Sequence, residues 1–262
     1  MKRPSKIWVS IAIISIIIGS LVFATTMTIL KWDFKKLSTT NFETNVYEFS
    51  EEVSNISIEV ITADVTFTVS TDNKTTVTCF EDEKVKHTVT VENGALLIEE
   101  NDERSFFDKL GVNFNSSKIT ISLPAIQLNQ IIIEATTADV CLKNISANTL
   151  NIKTTTGDIC VKNSLFSGDF IIKVTTGDIE LSSVHAGKID IKTTTGEVEL
   201  ASVDGGEIYI KTTTGDVSGS VLTDKTFITH TTTGDISVPR NTSGGICKVE
   251  TTTGDIDLQV KK

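Results

Sequence analysis

Seven copies of one short motif run down the second half of the chain, and their spacing restricts the fold more than any other property of the sequence. Lys153-Thr-Thr-Thr-Gly157-Asp158-Ile159 is followed by Thr175-Thr176-Gly177-Asp178-Ile179 and Thr193-Thr-Thr-Gly196-Glu197-Val198. The series continues with Thr212-Thr-Thr-Gly215-Asp216-Val217, Thr231-Thr-Thr-Gly234-Asp235-Ile236 and Thr251-Thr-Thr-Gly254-Asp255-Ile256. Successive glycines lie 20, 19, 19, 19 and 20 residues apart, and Thr136-Thr137-Ala138-Asp139-Val140 adds a copy 19 residues before Gly157. A fixed period of this length marks a chain that stacks similar turns upon one another.

Parity within the unit selects strand over helix. Five and seven residues before the glycine stand pairs such as Leu150/Ile152, Phe170/Ile172, Ile189/Ile191 and Ile208/Ile210. Two and four residues after it stand Ile159/Val161, Ile179/Leu181, Val198/Leu200 and Ile256/Leu258. Alternation at period two in β-branched residues is the pattern of a strand with one buried face. The position three before the glycine holds Ala135, Thr154, Val174, Thr193, Thr212, Thr231 or Thr251, which suits a small inward slot. The glycine reads as a corner requiring positive φ or close backbone approach. Each unit is thus one coil, and a coil buries its apolar residues only against its neighbours.

Residues 37–130 are less regular but also read as β. Ile56, Ile58, Val60, Thr62-Ala63-Asp64-Val65 and Phe67 reproduce the inward pattern of a coil. Strands are expected at Thr76–Phe80, His87–Val91, Leu96–Glu100 and Lys118–Leu123, with Glu92-Asn93-Gly94 as a tight turn. Ser105–Phe114 reads as a short helix or a flap, and the terminal lysines are expected to discourage edge-to-edge pairing.

Ile7 to Leu30 contains no charged residue, long enough as a helix to cross a hydrocarbon core of about 30 Å. Trp8 and Trp32 bracket it, as interfacial indoles do. Two readings stand: a retained anchor, favoured by the length of the run, or a signal peptide cleaved after Val22-Phe23-Ala24. Lys2, Arg3 and Lys6 on one side are matched by Lys31, Lys35 and Lys36 on the other. Charge alone leaves the orientation open; the short basic N-terminus is that of a signal anchor, which puts residues 31–262 outside the cytoplasm. Of the 24 basic residues only three precede position 31, so the remainder carries 21 against 34 acidic ones. A balance that acidic argues against nucleic acid as a partner. Four cysteines are too few for a disulfide framework.

Tandem Thr-Thr-Gly-Asp-Ile units, a strand ending in Ser122-Leu123-Pro124 and the N-terminal span together resemble the bacterial putative-adhesin family, envelope proteins with β-strand repeats and a LiaG-like domain of unknown function. The resemblance covers Asn55 to Val260. It implies a right-handed β-helix, an envelope location and, in some members, a link to envelope stress. It implies no catalytic residues.

In register, Asp139, Asp158, Asp178, Glu197, Asp216, Asp235 and Asp255 form an acidic column. Clustered carboxylates suit Ca²⁺; the simpler reading is a turn residue accepting backbone N–H groups. The Gly-Gly-x-Gly-x-Asp calcium motif is absent. Lys153, Lys173, Lys192 and Lys211 form a basic column, and Thr155, Thr175, Thr194, Thr213, Thr232 and Thr252 an outward threonine column. Ice binding is one reading of the latter, hydroxyl ladders within the sheet the other. His87, His185 and His230 lie in different segments without metal-ligand spacing, and Arg240 is the only arginine in the repeats. Cys141 and Cys160 hold the same outward position in neighbouring coils, within reach of a bridge, while Cys247 takes a core position.

The expectation is therefore an all-β chain, a parallel β-helix of 19–20-residue coils with one N-terminal transmembrane helix. Residues 1–36 are the cytoplasmic tail and anchor, 37–130 the irregular β region capping the solenoid, and 131–262 seven regular coils. The expected role is that of a non-enzymatic, membrane-anchored surface protein in adhesion or envelope stress. It uses no cofactor, meets the membrane through Ile7–Leu30, and takes an envelope protein or polysaccharide as partner. The alternative is a polysaccharide-active or Ca²⁺-dependent carbohydrate-binding β-helix.

Overall fold

The apolar N-terminal run forms α1 (Lys6–Ile29) in the computed structural model, which describes residues 6–33, 40–105, 115–240 and 243–261. Trp8–Ile29 has a mean hydropathy of 2.3, and Trp8, Ile16 and Leu21 are exposed. The hydroxyls of Thr25 and Thr28 donate one turn back to Leu21 O and Ala24 O, both at 2.8 Å, so neither is left unsatisfied in apolar surroundings. Lys31 and Trp32 then take positive φ, and Trp32 N donates to Met27 O at 2.8 Å, closing the helix. The chain divides into two compact units, one holding α1 and the other residues 42–103 with 116–262.

The second unit is one 18-stranded sheet that nearly closes upon itself. Its first part comprises β1 (Phe42–Phe49), β2 (Asn55–Val60), β3 (Ala63–Val69), β4 (Thr75–Asp82), β5 (Val85–Glu92), β6 (Ala95–Asp102) and β7 (Ser117–Leu123). The repeats supply β8 (Gln127–Thr137), β9 (Val140–Lys143), β10 (Ser146–Thr156), β11 (Ile159–Thr176), β12 (Ile179–Thr195) and β13 (Val198–Lys211). They end with β14 (Val217–Val221), β15 (Lys225–Thr233), β16 (Ile236–Ser237), β17 (Gly245–Thr253) and β18 (Ile256–Val260).

From β8 to β14 the pairing is parallel and in register with the repeat: Ile133 lies beside Ile152, Ile152 beside Ile172, Ile172 beside Ile191 and Ile191 beside Ile210. Residues of inward parity fill one continuous core; Leu150, Ile159, Phe170, Leu181, Ile189 and Val198 are at most 1% exposed. The small slot is inward as well, with Thr154, Thr193, Thr212 and Thr251 buried. Residues 56–67, expected as a first coil, fall in β2 and β3, which dock in the middle of the ladder. β2 and β3 pair in parallel with β8 and β9 on one side and with β6 and β7 on the other. Antiparallel strands then finish that end: β5 on β6, and β1 on β4 on β7. The turn at Asn93-Gly94 has positive φ at both residues, as a two-residue hairpin requires.

One expectation is corrected. The seven units do not stack in chain order. β13 pairs with β17 and β14 with β18, while β15 and β16 lie outside them, so the unit of Gly254 sits between those of Gly215 and Gly234. The reason is composition. The unit of Gly254 offers Cys247, Val249, Ile256 and Leu258, each at most 1% exposed, whereas that of Gly234 has Thr229 at an inward position and leaves Ile236 45% exposed. The more apolar unit takes the level covered on both faces. Lys261 is accordingly not at the open edge, since its N–H donates to Val221 O. That edge is blunted instead by the two-residue β16 and by Pro239 beyond it. The flap expected at Ser105–Phe114 lies largely outside the described residues.

Candidate functional site

The corners explain the acidic column. Gly177, Gly196 and Gly215 have φ of 150°, 146° and 145°, and a Cβ on each would stand 2.0 Å from the carbonyl oxygen of the preceding corner glycine. Backbones that close bring each acidic residue over the next. The N–H of Asp158 donates to Asp139 Oδ1, that of Asp178 to Asp158 Oδ1 and that of Glu197 to Asp178 Oδ1, all at 2.8 Å. Beyond Glu197 the same bond recurs from the Asp255 N–H to Asp216 Oδ1 and from the Asp235 N–H to Asp255 Oδ1, each at 2.7 Å. One oxygen of Asp139, Asp158, Asp178, Asp216 and Asp255 is thus engaged in holding the corner above or below it, as a turn carboxylate does.

The basic column is outward. Glu99, Glu59, Glu134, Lys153, Lys173, Lys192, Lys211, Glu250 and His230 follow one another across adjacent strands. Four lysines in direct register repel one another, which a purely structural ladder has no reason to include. Their counterions stand at the margins: Glu134 is 4.0 Å from Lys153, Asp190 is 3.2 Å from Lys192, and Glu250 is 3.8 Å from Lys211. The Lys248 ammonium holds the Glu250 carboxyl below its usual range. Thr155, Thr175 and Thr194 run parallel to the lysines and are exposed. With Lys153, Lys173 and Lys192 they line an open groove of about 260 Å³. A second groove, of about 240 Å³, continues from Lys192 to Lys211 and Lys248, where Lys188 Nζ lies 5.2 Å from the Tyr209 ring centroid.

A second cluster, which spacing along the sequence did not suggest, is buried at the antiparallel end. Cys79 and Glu81 share the inward face of β4, His87 faces inward from β5, and Glu100 lies opposite His87 on β6. His87 Nδ1 is 2.6 Å and its backbone N–H 2.7 Å from Glu81 Oε2, while Asn45 Nδ2 donates to Glu81 Oε1 at 2.6 Å. Glu100 Oε2 accepts from the N–H groups of Ile61 and Thr62 and stands 4.0 Å from His87 Nε2. His87 Nε2 and Glu100 Oε1 are buried without a hydrogen-bond partner. Burial, with the negative charge of Glu81, pushes the Cys79 thiol up to about 12. The legible signal was a histidine at inward parity between Val85 and Val89. His185 and His230 are exposed and remote from this cluster.

Cys141 and Cys160 are direct partners across β9 and β11, with sulfurs 2.9 Å apart as free thiols. Burial and the neighbouring Cys141 push Cys160 up to about 12. Cys247 is a buried core residue, as expected.

Fold and surface together define a mostly β domain, one nearly closed sheet that carries registered side-chain columns on its outer face. The chain belongs to the Toastrack DUF4097 family, whose model matches residues 53–262. Among solved structures it is similar to a putative adhesin from Bacteroides fragilis, at 17% identity over 84% of this chain and 97% of that one, with a TM-score of 0.58. It is also similar to a putative adhesin from Parabacteroides distasonis, at 10% identity over 82% and 97% of the two chains and a TM-score of 0.48. A putative lipid binding protein from the same organism shares 16% identity over 85% and 98%, with a TM-score of 0.46. No curated protein matches the chain.

Proposed function

We infer that the chain is a non-enzymatic cell-envelope protein of adhesin type, wound as a parallel β-helix of 19–20-residue coils and held in the membrane by α1. Its ligand is an acidic polysaccharide laid along the lysine and threonine columns. The carrying observation is the register of Lys153, Lys173, Lys192 and Lys211 on one exposed face. At about 4.8 Å per level the ammonium groups repeat along a line that an extended chain of carboxylated sugars can follow. The flanking threonine hydroxyls add donors and acceptors. The body's overall negative charge opposes long-range capture, so attraction operates at contact distance, within about 8 Å at physiological salt.

Family membership and a similar fold in an adhesin-named structure support the envelope role. The engagement of the corner carboxylates by backbone N–H groups favours this reading over the Ca²⁺-dependent one. The test is co-sedimentation of the full chain with polygalacturonate and with neutral dextran. Binding to the acidic polymer alone, weakened at least tenfold in Lys173→Glu/Lys192→Glu and by added salt, is expected. Equal binding to dextran, or an unaffected double variant, would contradict the reading.

A further inference from the structure

Among the described residues one group brings nitrogen, oxygen and sulfur donors together within 4.8 Å of one another: Cys79, Glu81 and His87, all buried. We propose that these three side chains bind a divalent transition metal of zinc type, pinning the antiparallel end of the sheet.

The donor set is the first argument. A thiolate, an imidazole and a carboxylate together suit a borderline-soft cation such as Zn²⁺ rather than Ca²⁺ or Mg²⁺, which take oxygen. The second argument is the far side of the imidazole. With Nδ1 on the metal, the proton of His87 resides on Nε2, which has no partner in the structure and faces Glu100 Oε2 at 4.0 Å. Glu100 is fixed by two backbone N–H groups and holds its other oxygen unpartnered and buried. A carboxylate receiving the outer N–H of a metal-bound histidine is the usual supporting contact of such sites. Charge is the third. The side chains of Glu81 and Glu100, 0% and 1% exposed, flank a single imidazole. The nearby Lys86 is itself paired with Glu43.

Metal binding displaces one proton: the thiol proton of Cys79 leaves to solvent, while the neutral His87 keeps its single ring proton on Nε2 and turns the Nδ1 lone pair from Glu81 to the metal. Tetrahedral zinc with bonds of about 2.0–2.2 Å holds neighbouring N and O donors roughly 3.3 Å apart, so the 2.6 Å contact between Nδ1 and Oε2 opens by less than an ångström. A protonated His87 paired with Glu81 is the alternative; it presents the same outer N–H to Glu100 but gives Cys79 no part.

The full chain, stripped with a chelator in detergent and equilibrated with Co²⁺ alone, tests this. One equivalent bound with a thiolate-to-cobalt charge-transfer band is expected, lost in Cys79→Ser and kept in Cys141→Ser/Cys160→Ser. No band, a band that survives Cys79→Ser, or one lost in the double variant overturns the proposal. Zinc-edge X-ray absorption on the unmutated chain needs no variant to fold. A single sulfur at about 2.3 Å with nitrogen and oxygen neighbours supports the site, whereas two sulfurs, or none, refute it.

Discussion

Single residues show what the stack tolerates. Thr212 Oγ1 is buried with no partner, while its counterparts in Thr154 and Thr193 donate to the carbonyls of Thr156 and Thr195 at 3.1 and 3.3 Å. Thr212→Val removes an unsatisfied hydroxyl at constant shape and should stabilise by about 1 kcal/mol, seen as a raised thermal midpoint. Gly196→Ala meets both φ of 146° and the Gly177 carbonyl at 2.0 Å, and should cost about 3 kcal/mol or more in chemical denaturation. Lys225 is 3% exposed, its ammonium 2.8 Å from Asp204 Oδ1. Burial draws the Asp204 pKa up, but Lys225 and the Thr223 hydroxyl outweigh this and hold it below the usual value of 3.8. A carboxyl so depressed contributes stability that is fully present above its unfolded pKa and is lost as pH falls through the folded one. Asp204→Asn should therefore cost about 3 kcal/mol near neutrality, by leaving the ammonium unpaired, and the variant should lack this acid-limb loss below about pH 4 in a denaturation series.

At the scale of elements, strands were legible wherever both periodicity and turn chemistry were written locally. The strands expected around Thr76–Phe80 and Leu96–Glu100 are β4 and β6, and Asn93-Gly94 closes the hairpin. The partner of each strand was legible only where the repeat supplied it. Nothing local distinguishes Ile210 beside Thr229, the chain-order pairing, from Ile210 beside Val249, the pairing observed. The difference lies in competition between units for a doubly covered level, and Thr229 at an inward position was its trace. The lysine and threonine columns followed from spacing alone. The Cys79–Glu81–His87 cluster did not, because β5 pairs with β6 rather than with β4 and only that corner turns His87 towards Glu81. Swapping the two competing patterns tests this: Thr229→Val should leave the outer level more stable, by about 1 kcal/mol or less, because it remains partly exposed.

At the scale of the molecule, parallel registered strands join the repeats, β2 and β3, and the antiparallel end into one sheet, and the apolar α1 precedes them. If α1 is retained as an anchor with the body outside, protease treatment of intact cells should release peptides from residues 131–262; their release only after lysis would contradict external display. The order in which the levels touch decides the architecture. Thr213 and Thr252 are outward on adjacent levels, with Thr253 N donating to Thr213 O at 2.9 Å, whereas Thr232 belongs to the level beyond. Cysteines placed in pairs at these sites, treated with a short thiol cross-linker and mapped by mass spectrometry, read the order directly. Linkage of Thr213→Cys to Thr252→Cys, with none between Thr213→Cys and Thr232→Cys, is the predicted result; the reverse pattern, or no linkage in either pair, would contradict it.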